Sequence, residues 1–289
     1  MAALAAPAGT RRIHPLSAGE HWRVTDLRCG LGPADRAEEE QHVSTSVSVV
    51  LAGTFTYEGA QGRVLLTPGS LLLGNAGHCF YCRHEHAAGD RCLSFQFDAA
   101  YLDAEEATDA ARLFAAPRVP PLAGTRALWV AARQLASAPE AAAPFEIEQL
   151  AAQALAVARC EDAAATLARV RPRDERRVAQ VVRALEHDYA SPHTLASLAR
   201  SVGLARHSFL RTFRAVTGIT PYRYLLSLRL AAAAQRLLRT EQAVTDIAVD
   251  VGFGDLSEFT RRFHAEFGQP PGAWRRRQRQ GRAHGKPTT

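Results

Sequence analysis

The feature that most constrains this chain is an internal repeat between residues 195 and 274. LASLARSVGL (195–204) aligns with VTDIAVDVGF (244–253), so that Ala199 falls on Ala248, Val202 on Val251 and Gly203 on Gly252. After one inserted residue the register continues: Phe209 meets Phe259, Arg211 meets Arg261 and Phe213 meets Phe263. Gly218 then meets Gly268, Pro221 meets Pro271, and Tyr224 meets Trp274. Each copy reads as helix, glycine turn, second helix, glycine stop, proline, aromatic. That is the pattern of a helix-turn-helix unit, present twice.

The elements around the repeat follow from helical periodicity. Val178, Val181, Val182, Leu185 and Tyr189 give a core stripe to a helix over about 174–189. In the first unit a helix over 206–216 buries Phe209 and Phe213 and leaves Arg206, His207, Leu210, Arg211 and Arg214 on other faces. The second unit turns Phe259 and Phe263 inward and Leu256, Ser257, Thr260 and Arg261 outward. Asp255 with Glu258 three residues on predicts a capping box there, whereas Ala205 offers the first unit no side-chain cap. Between the units Pro221 opens a helix to about Arg239, which spans roughly 27 Å. With the widths of the two units added, that length predicts two reading helices about 34 Å apart, one turn of a DNA duplex.

Charge separates the two halves. Residues 171–289 hold 21 Arg and Lys against 10 Asp and Glu, which leaves 14 against 19 in the first 170. A strongly basic half joined to a mildly acidic one points to a polyanion partner for the second half alone. Paired phenylalanines and surface arginines are common in helices, so a single unit would be weak support for DNA binding. The duplication and the charge together carry it.

With 47% hydrophobic and 22% charged residues, the chain has the composition of a globular protein with room for two cores. No apolar run is long enough to cross a bilayer. In MAALAAPAGTRR the basic pair follows the small residues, the wrong order for a secretory signal, so a cytoplasmic protein without a membrane partner is expected.

The first half reads as strands. STSVSVVLAG (44–53), TFTYEG (54–59), RVLLTPG (63–69), SLLLGNAGH (70–78) and CLSFQFD (92–98) are short β-rich runs between turn signals. Thr54, Thr56 and Glu58 alternate with Phe55 and Tyr57, the period of a half-buried strand. Many short strands predict a sandwich or small barrel. Two alanine-rich helices follow, over about 124–137 and 145–160, to pack on their own barrel or on a partner subunit. The expected architecture is a two-domain α+β chain. A barrel domain spans 13–165, a linker 166–174, an all-α tandem helix-turn-helix domain 175–276, and a basic tail 277–289. Pro172 is expected to end any helix before it.

GHCFYCRHEHAAGDRC (77–92) clusters Cys79, Cys82, His84, His86 and Cys92. If 80–86 is a strand, Cys82, His84 and His86 share a face. Thiolate and imidazole there suit zinc, and Cys79-x-x-Cys82 also suits a redox pair. Against both stands the plainer reading, which outweighs them: cysteines as small buried hydrophobes and histidines lining a pocket.

Over about residues 175–276 the sequence resembles the AraC/XylS family of bacterial transcription regulators. The resemblance rests on Leu198-Ala199, Val202-Gly203, Phe209-x-Arg211-x-Phe213, Thr217-Gly218, Pro221, Tyr224 and Arg229-Leu230. It continues through Ile247-Ala248, Val251-Gly252-Phe253, Phe259-x-x-Arg262-Phe263, Phe267-Gly268, Pro271 and Trp274-Arg275. It implies sequence-specific binding of double-stranded DNA, with His207, Leu210 and Arg211 of the first unit and Leu256, Ser257 and Arg261 of the second at base-contact positions. Arg206 and Thr260 flank them. Where the family usually has Ser, this chain has Ala205, and Leu210 offers a thymine methyl a contact but no hydrogen bond. The first half is similar in architecture to the cupin-like barrel of such regulators, which implies a small-molecule effector, a homodimer and, for an activator, RNA polymerase as partners. No sugar-contact residue carries over.

The leading reading is therefore a DNA-binding regulator, activator or repressor, and not an enzyme. Its alternatives are a metal-dependent cupin enzyme fused to a DNA-binding domain, and a thiol or metal sensor.

Overall fold

The computed structural model describes residues 9–84, 89–104, 113–121, 123–162 and 170–284. Among these residues ten strands form two antiparallel sheets: β1 (Arg11–Ala18), β2 (Trp22–Cys29), β3 (Glu39–Gln41), β4 (Thr45–Ala52), β5 (Phe55–Gly59), β6 (Gly62–Leu66), β7 (Leu71–Gly74), β8 (Cys79–Arg83), β9 (Asp90–Phe97) and β10 (Arg118–Val119). The larger sheet runs β1-β2-β9-β4-β7-β10 and the smaller β3-β8-β5-β6. Val50, Phe55, Tyr57, Leu66 and Phe80 close a core between them. The two-sheet β domain expected from the strand signals, cupin-like as the family resemblance implied, is thus present.

Helix α1 (Ala99–Ala104) leaves the larger sheet, and α2 (Ala123–Leu135) and α3 (Pro144–Asp162) cover its outer face. Leu128, Trp129 and Ala132 of α2 and Ile147, Ala151 and Ala154 of α3 are buried there. The two helices therefore pack on their own barrel. Coverage from both sides explains why β4 is buried almost throughout instead of alternating. Thr54 and Thr56, expected on an open face, are also buried. The helical half leans on this smaller sheet, where Arg63 of β6 reaches Glu175 at 2.8 Å.

The second half is helical: α4 (Pro172–His187), α5 (Leu195–Ser201), α6 (Arg206–Thr217), α7 (Pro221–Arg239), α8 (Val244–Asp250), α9 (Leu256–Phe267) and α10 (Pro271–His284). Two boundaries differ from expectation. Pro172 opens α4, two residues before the expected start of that helix, because a first-turn N–H is unpaired anyway and proline loses nothing there. The basic stretch after 276 continues α10, with Arg279 donating to the Thr240 carbonyl at 2.6 Å. No helix among the described residues is long and apolar enough to cross a membrane.

The halves are packed together. Buried apolar side chains of the larger sheet, α2, α3 and the helical half form one continuous cluster. α2 touches both α7 and α9.

Candidate nucleic-acid interface and barrel cavity

The two helix-turn-helix units are built alike, and their aromatic cores show it. In the first, Phe209 packs on Phe213 with ring centroids 5.7 Å apart, and Phe213 meets Tyr224 edge-on at 6.0 Å. In the second, Phe259 packs on Phe263 at 5.7 Å, and Phe263 meets Trp274 edge-on at 5.6 Å. All four phenylalanines are fully buried. The i, i+4 spacing puts each pair on one face, and the aromatic fifty residues apart closes each unit from the next helix. Ala199 and Ala248 are buried at matching positions in the first helix of each unit. Gly252, at φ +93°, has no alternative: a Cβ there would lie 2.4 Å from the Ala190 carbonyl oxygen.

Burial of the phenylalanines decides what faces out. Arg206, His207 and Arg211 of α6 are exposed and Leu210 is half-buried. Leu256, Ser257 and Arg261 of α9 are exposed and Thr260 is half-buried. All eight candidate readers therefore keep access to solvent, on the helices expected to carry them. Arg262, beside them, instead lies along Glu258 at 3.6 Å and over the Tyr222 ring.

The helix starts differ as expected, with one change. The Asp255 carboxylate accepts the Glu258 N–H at 2.6 Å, capping α9. Glu258 turns to Arg262 and does not return the bond, so the box is half-made. Ala205 caps nothing. A full capping box sits earlier, at α5, where Thr194 and Ser197 exchange side-chain and backbone bonds at 3.0 and 3.1 Å. Its Thr-x-x-Ser pattern was a readable signal.

The C-terminal ends of both reading helices meet the barrel half. Arg118 of β10 donates to the Val216 carbonyl near the end of α6 and to Leu65 in the barrel. Burial draws the Arg118 pKa down to about 10, still cationic at neutral pH and suited to a helix C-terminus. Arg126 of α2 contacts Glu266 near the end of α9. No local sequence signal marks these contacts.

Between the sheets lies a cavity of about 710 Å³, a size suited to a small organic molecule. Its wall mixes apolar Phe55, Leu72 and Phe80 with polar Ser94, Gln96 and His42. His42 stacks on Phe80 at 4.2 Å and lies 3.1 Å from the Tyr57 hydroxyl. Burial, with His78 nearby, lowers the His42 pKa to about 4, so it is a neutral hydrogen-bonding group at pH 7.

The cysteine–histidine motif is divided by the fold. Cys79 is exposed at the start of β8, and Cys82, three residues on, points to the opposite face and lines the cavity. Both are free thiols. Burial raises the pKa of both Cys82 and Cys92 well above the ordinary thiol value, which favours the protonated thiol. β8 ends at Arg83, and His84 follows it into the cavity wall. His86 lies outside the described residues. His84 meets instead two residues outside the expected set, Cys29 and Asp90. Neither stood out in the sequence, because their proximity depends on strand pairing.

Comparison with known proteins places both halves. Residues 6–168 match the AraC-binding-like domain family, and residues 198–277 match a helix-turn-helix domain family. The chain is 44% identical over 87 residues to the RCS-specific HTH-type transcriptional activator RclR of Escherichia coli (strain K12), covering 30% of this chain and 31% of that protein. It is 37% identical over 97 residues to the HTH-type transcriptional activator RhaS of Yersinia pestis (strain Pestoides F), covering 34% and 36%. The match thus spans about a third of these relatives. Among solved structures, the DNA-binding domain of AdpA, a global transcriptional factor, in complex with a target DNA, is 27% identical, with a TM-score of 0.36 over 37% of this chain and 97% of that one.

Proposed function

Because the chain belongs to the AraC family of helix-turn-helix transcription regulators, we propose that it reads two successive major grooves of a DNA site through α6 and α9, under control of a small molecule held in the barrel cavity. The observation that carries this reading is the equivalence of the units. Each holds a buried Phe pair, a closing aromatic, and an arginine, Arg211 or Arg261, exposed at the matching position.

The roles follow from side-chain chemistry. Arg211 and Arg261 suit bidentate contacts to guanine, Ser257 and Thr260 single hydrogen bonds, and Leu210 and Leu256 the thymine methyl. His207 offers a donor or acceptor. Arg206, at the start of α6, suits a phosphate. Transcriptional control by such a protein takes place in the cytoplasm, on the chromosome, and as an activator the chain would meet RNA polymerase.

The barrel supports control because it touches the DNA-binding half where the reading helices end. A molecule that shifts the larger sheet or α2 acts on Arg118 and Arg126, and through them on α6 and α9.

Selection of bound sequences from random DNA by the full chain, repeated with Arg211→Ala and Arg261→Ala, tests the base-reading role. Each variant is expected to lose about 1–3 kcal/mol on the selected site and to relax one base position. Equal losses on selected and random DNA would assign both arginines to the phosphate backbone and overturn the reading.

A further inference from the structure

The barrel cavity holds a group of side chains that the DNA-reading function does not use. Cys29 closes β2, and the β2–β9 register sets it directly opposite Asp90. His84 comes from the other sheet, just past β8. One sulfur, one imidazole nitrogen and one carboxylate oxygen of these residues lie within 4.8 Å of one another. We propose that Cys29, His84 and Asp90 bind a divalent transition-metal ion in the cavity wall, bridging the two sheets.

Geometry supports the assignment. Cys29 Sγ lies 3.5 Å from His84 Nε2. Two ligands at ordinary zinc–sulfur and zinc–nitrogen distances subtend a tetrahedral edge of about 3.6 Å. Sulfur and nitrogen are thus already spaced as neighbours on one ion. Asp90 supplies the second observation. Its Oδ2 is buried without an aligned hydrogen-bond donor, although His84 Nδ1 is only 2.9 Å away. That oxygen belongs to a carboxylate nine-tenths buried and faces the other nitrogen of the same ring, so a cation at the ring offsets the cost of burying it.

The charge balance agrees. A thiolate and a carboxylate together match the charge of a divalent ion, whose binding displaces the protons of its donor atoms. The donor set of thiolate, imidazole and carboxylate selects a borderline ion such as zinc or cobalt over magnesium or calcium. All three residues line the cavity, so the ion is reached from the same space as an effector. The site differs from the one expected from the 77–92 motif: it keeps His84 and replaces the other four residues with Cys29 and Asp90. It stands independently of the DNA-reading proposal.

Titration of the metal-stripped full chain with Co²⁺ alone tests it, read by the near-ultraviolet thiolate-to-cobalt absorption and the visible ligand-field bands. One equivalent is expected to bind with both signals. Cys29→Ser should abolish the thiolate band, and Asp90→Asn should weaken binding about 10–100-fold. Cys79→Ser should leave the titration unchanged. Retained DNA binding and an unaltered circular dichroism spectrum show that each variant is folded. A wild-type chain without the thiolate band overturns the proposal. So does a band that survives Cys29→Ser, or one that disappears in Cys79→Ser. As a second readout, Zn²⁺ should protect Cys29 from iodoacetamide; equal labelling of Cys29 with and without Zn²⁺ also overturns it. The DNA-binding reading is tested by Arg211 and Arg261 and is unaffected by any of these outcomes.

Discussion

Arg126 Nη1, on α2 of the barrel half, lies 2.5 Å from Glu266 Oε2, on the second reading helix, with side chains only 10% and 6% exposed. The pair is not fully satisfied, since Arg126 Nε and Glu266 Oε1 are buried without partners. Burial raises the Glu266 pKa to about 7, with Arg126 only partly offsetting it. A buried pair of this kind adds little net stability, yet breaking it on one side is costly. It suits a contact that holds two domains in one relation and can be released.

Removing either partner should therefore do more harm than removing both. Glu266→Leu or Arg126→Met alone is expected to destabilise the docked chain by up to about 3–5 kcal/mol, and the double variant to recover most of the loss. A urea-unfolding double-mutant cycle reads the coupling. A coupling energy within about 0.5 kcal/mol of zero would show that the two residues act independently and would remove the interdomain tie.

The repeat supplies a matched control for the other tie. Gly218 and Gly268 end α6 and α9 in the same left-handed conformation, at φ +83° and +71°. A Cβ on Gly218 would lie 2.5 Å from Pro120 Cγ of the barrel half, whereas one on Gly268 meets nothing within 4 Å. Alanine at either site carries the same backbone cost of about 1–2 kcal/mol. Gly218→Ala should be the more destabilising, by the added clash. Equal urea midpoints for the two variants would show that Pro120 does not press on α6.

The unequal caps make a third prediction. Asp255→Ala removes the bond to the Glu258 N–H and should cost about 1 kcal/mol, while Ala205→Ser should return a similar amount to α6. Thermal unfolding of the full chain measures both. If Ala205→Ser lowers the midpoint, the first turn of α6 is not short of a cap.

His42 predicts a slope with pH. The unfolded chain takes up a proton on this residue near pH 6.5, but the folded chain resists until about pH 4. Between those values the unfolded state holds more protons, so stability falls as pH drops from 6.5 to 4 and is fully present above 6.5. The shift corresponds to at most about 3 kcal/mol, less for its partial exposure. His42→Gln should flatten this part of the stability–pH curve. An unchanged slope would mean that His42 titrates normally in the folded protein.

Legibility divided along the range of the interactions. α7 and the reading helices were found within a residue or so, because their signals, Pro221, Asp255 and the Phe pairs, act over one or two turns. β1 escaped detection: it is an edge strand carrying Pro15, with an irregular register between Pro15 and Ser17 and little buried surface to impose a period. The alternation in β5 was real, but both faces are covered, so it did not mark an open face. Of the 77–92 motif, His84 lies in the cavity wall beside Cys29 and Asp90, a proximity that only strand pairing creates.

By itself the sequence determined the duplicated units, their buried aromatic pairs and the side chains that face outward, since i, i+4 spacing, caps and glycine stops are local and act before the chain is folded. Only the tertiary structure decided that Cys29 faces Asp90, that His84 joins them from the other sheet, and that Arg126 reaches Glu266 across 140 residues. Strand register and domain docking are set by burying apolar surface shared among distant segments, and no short stretch of sequence carries that information.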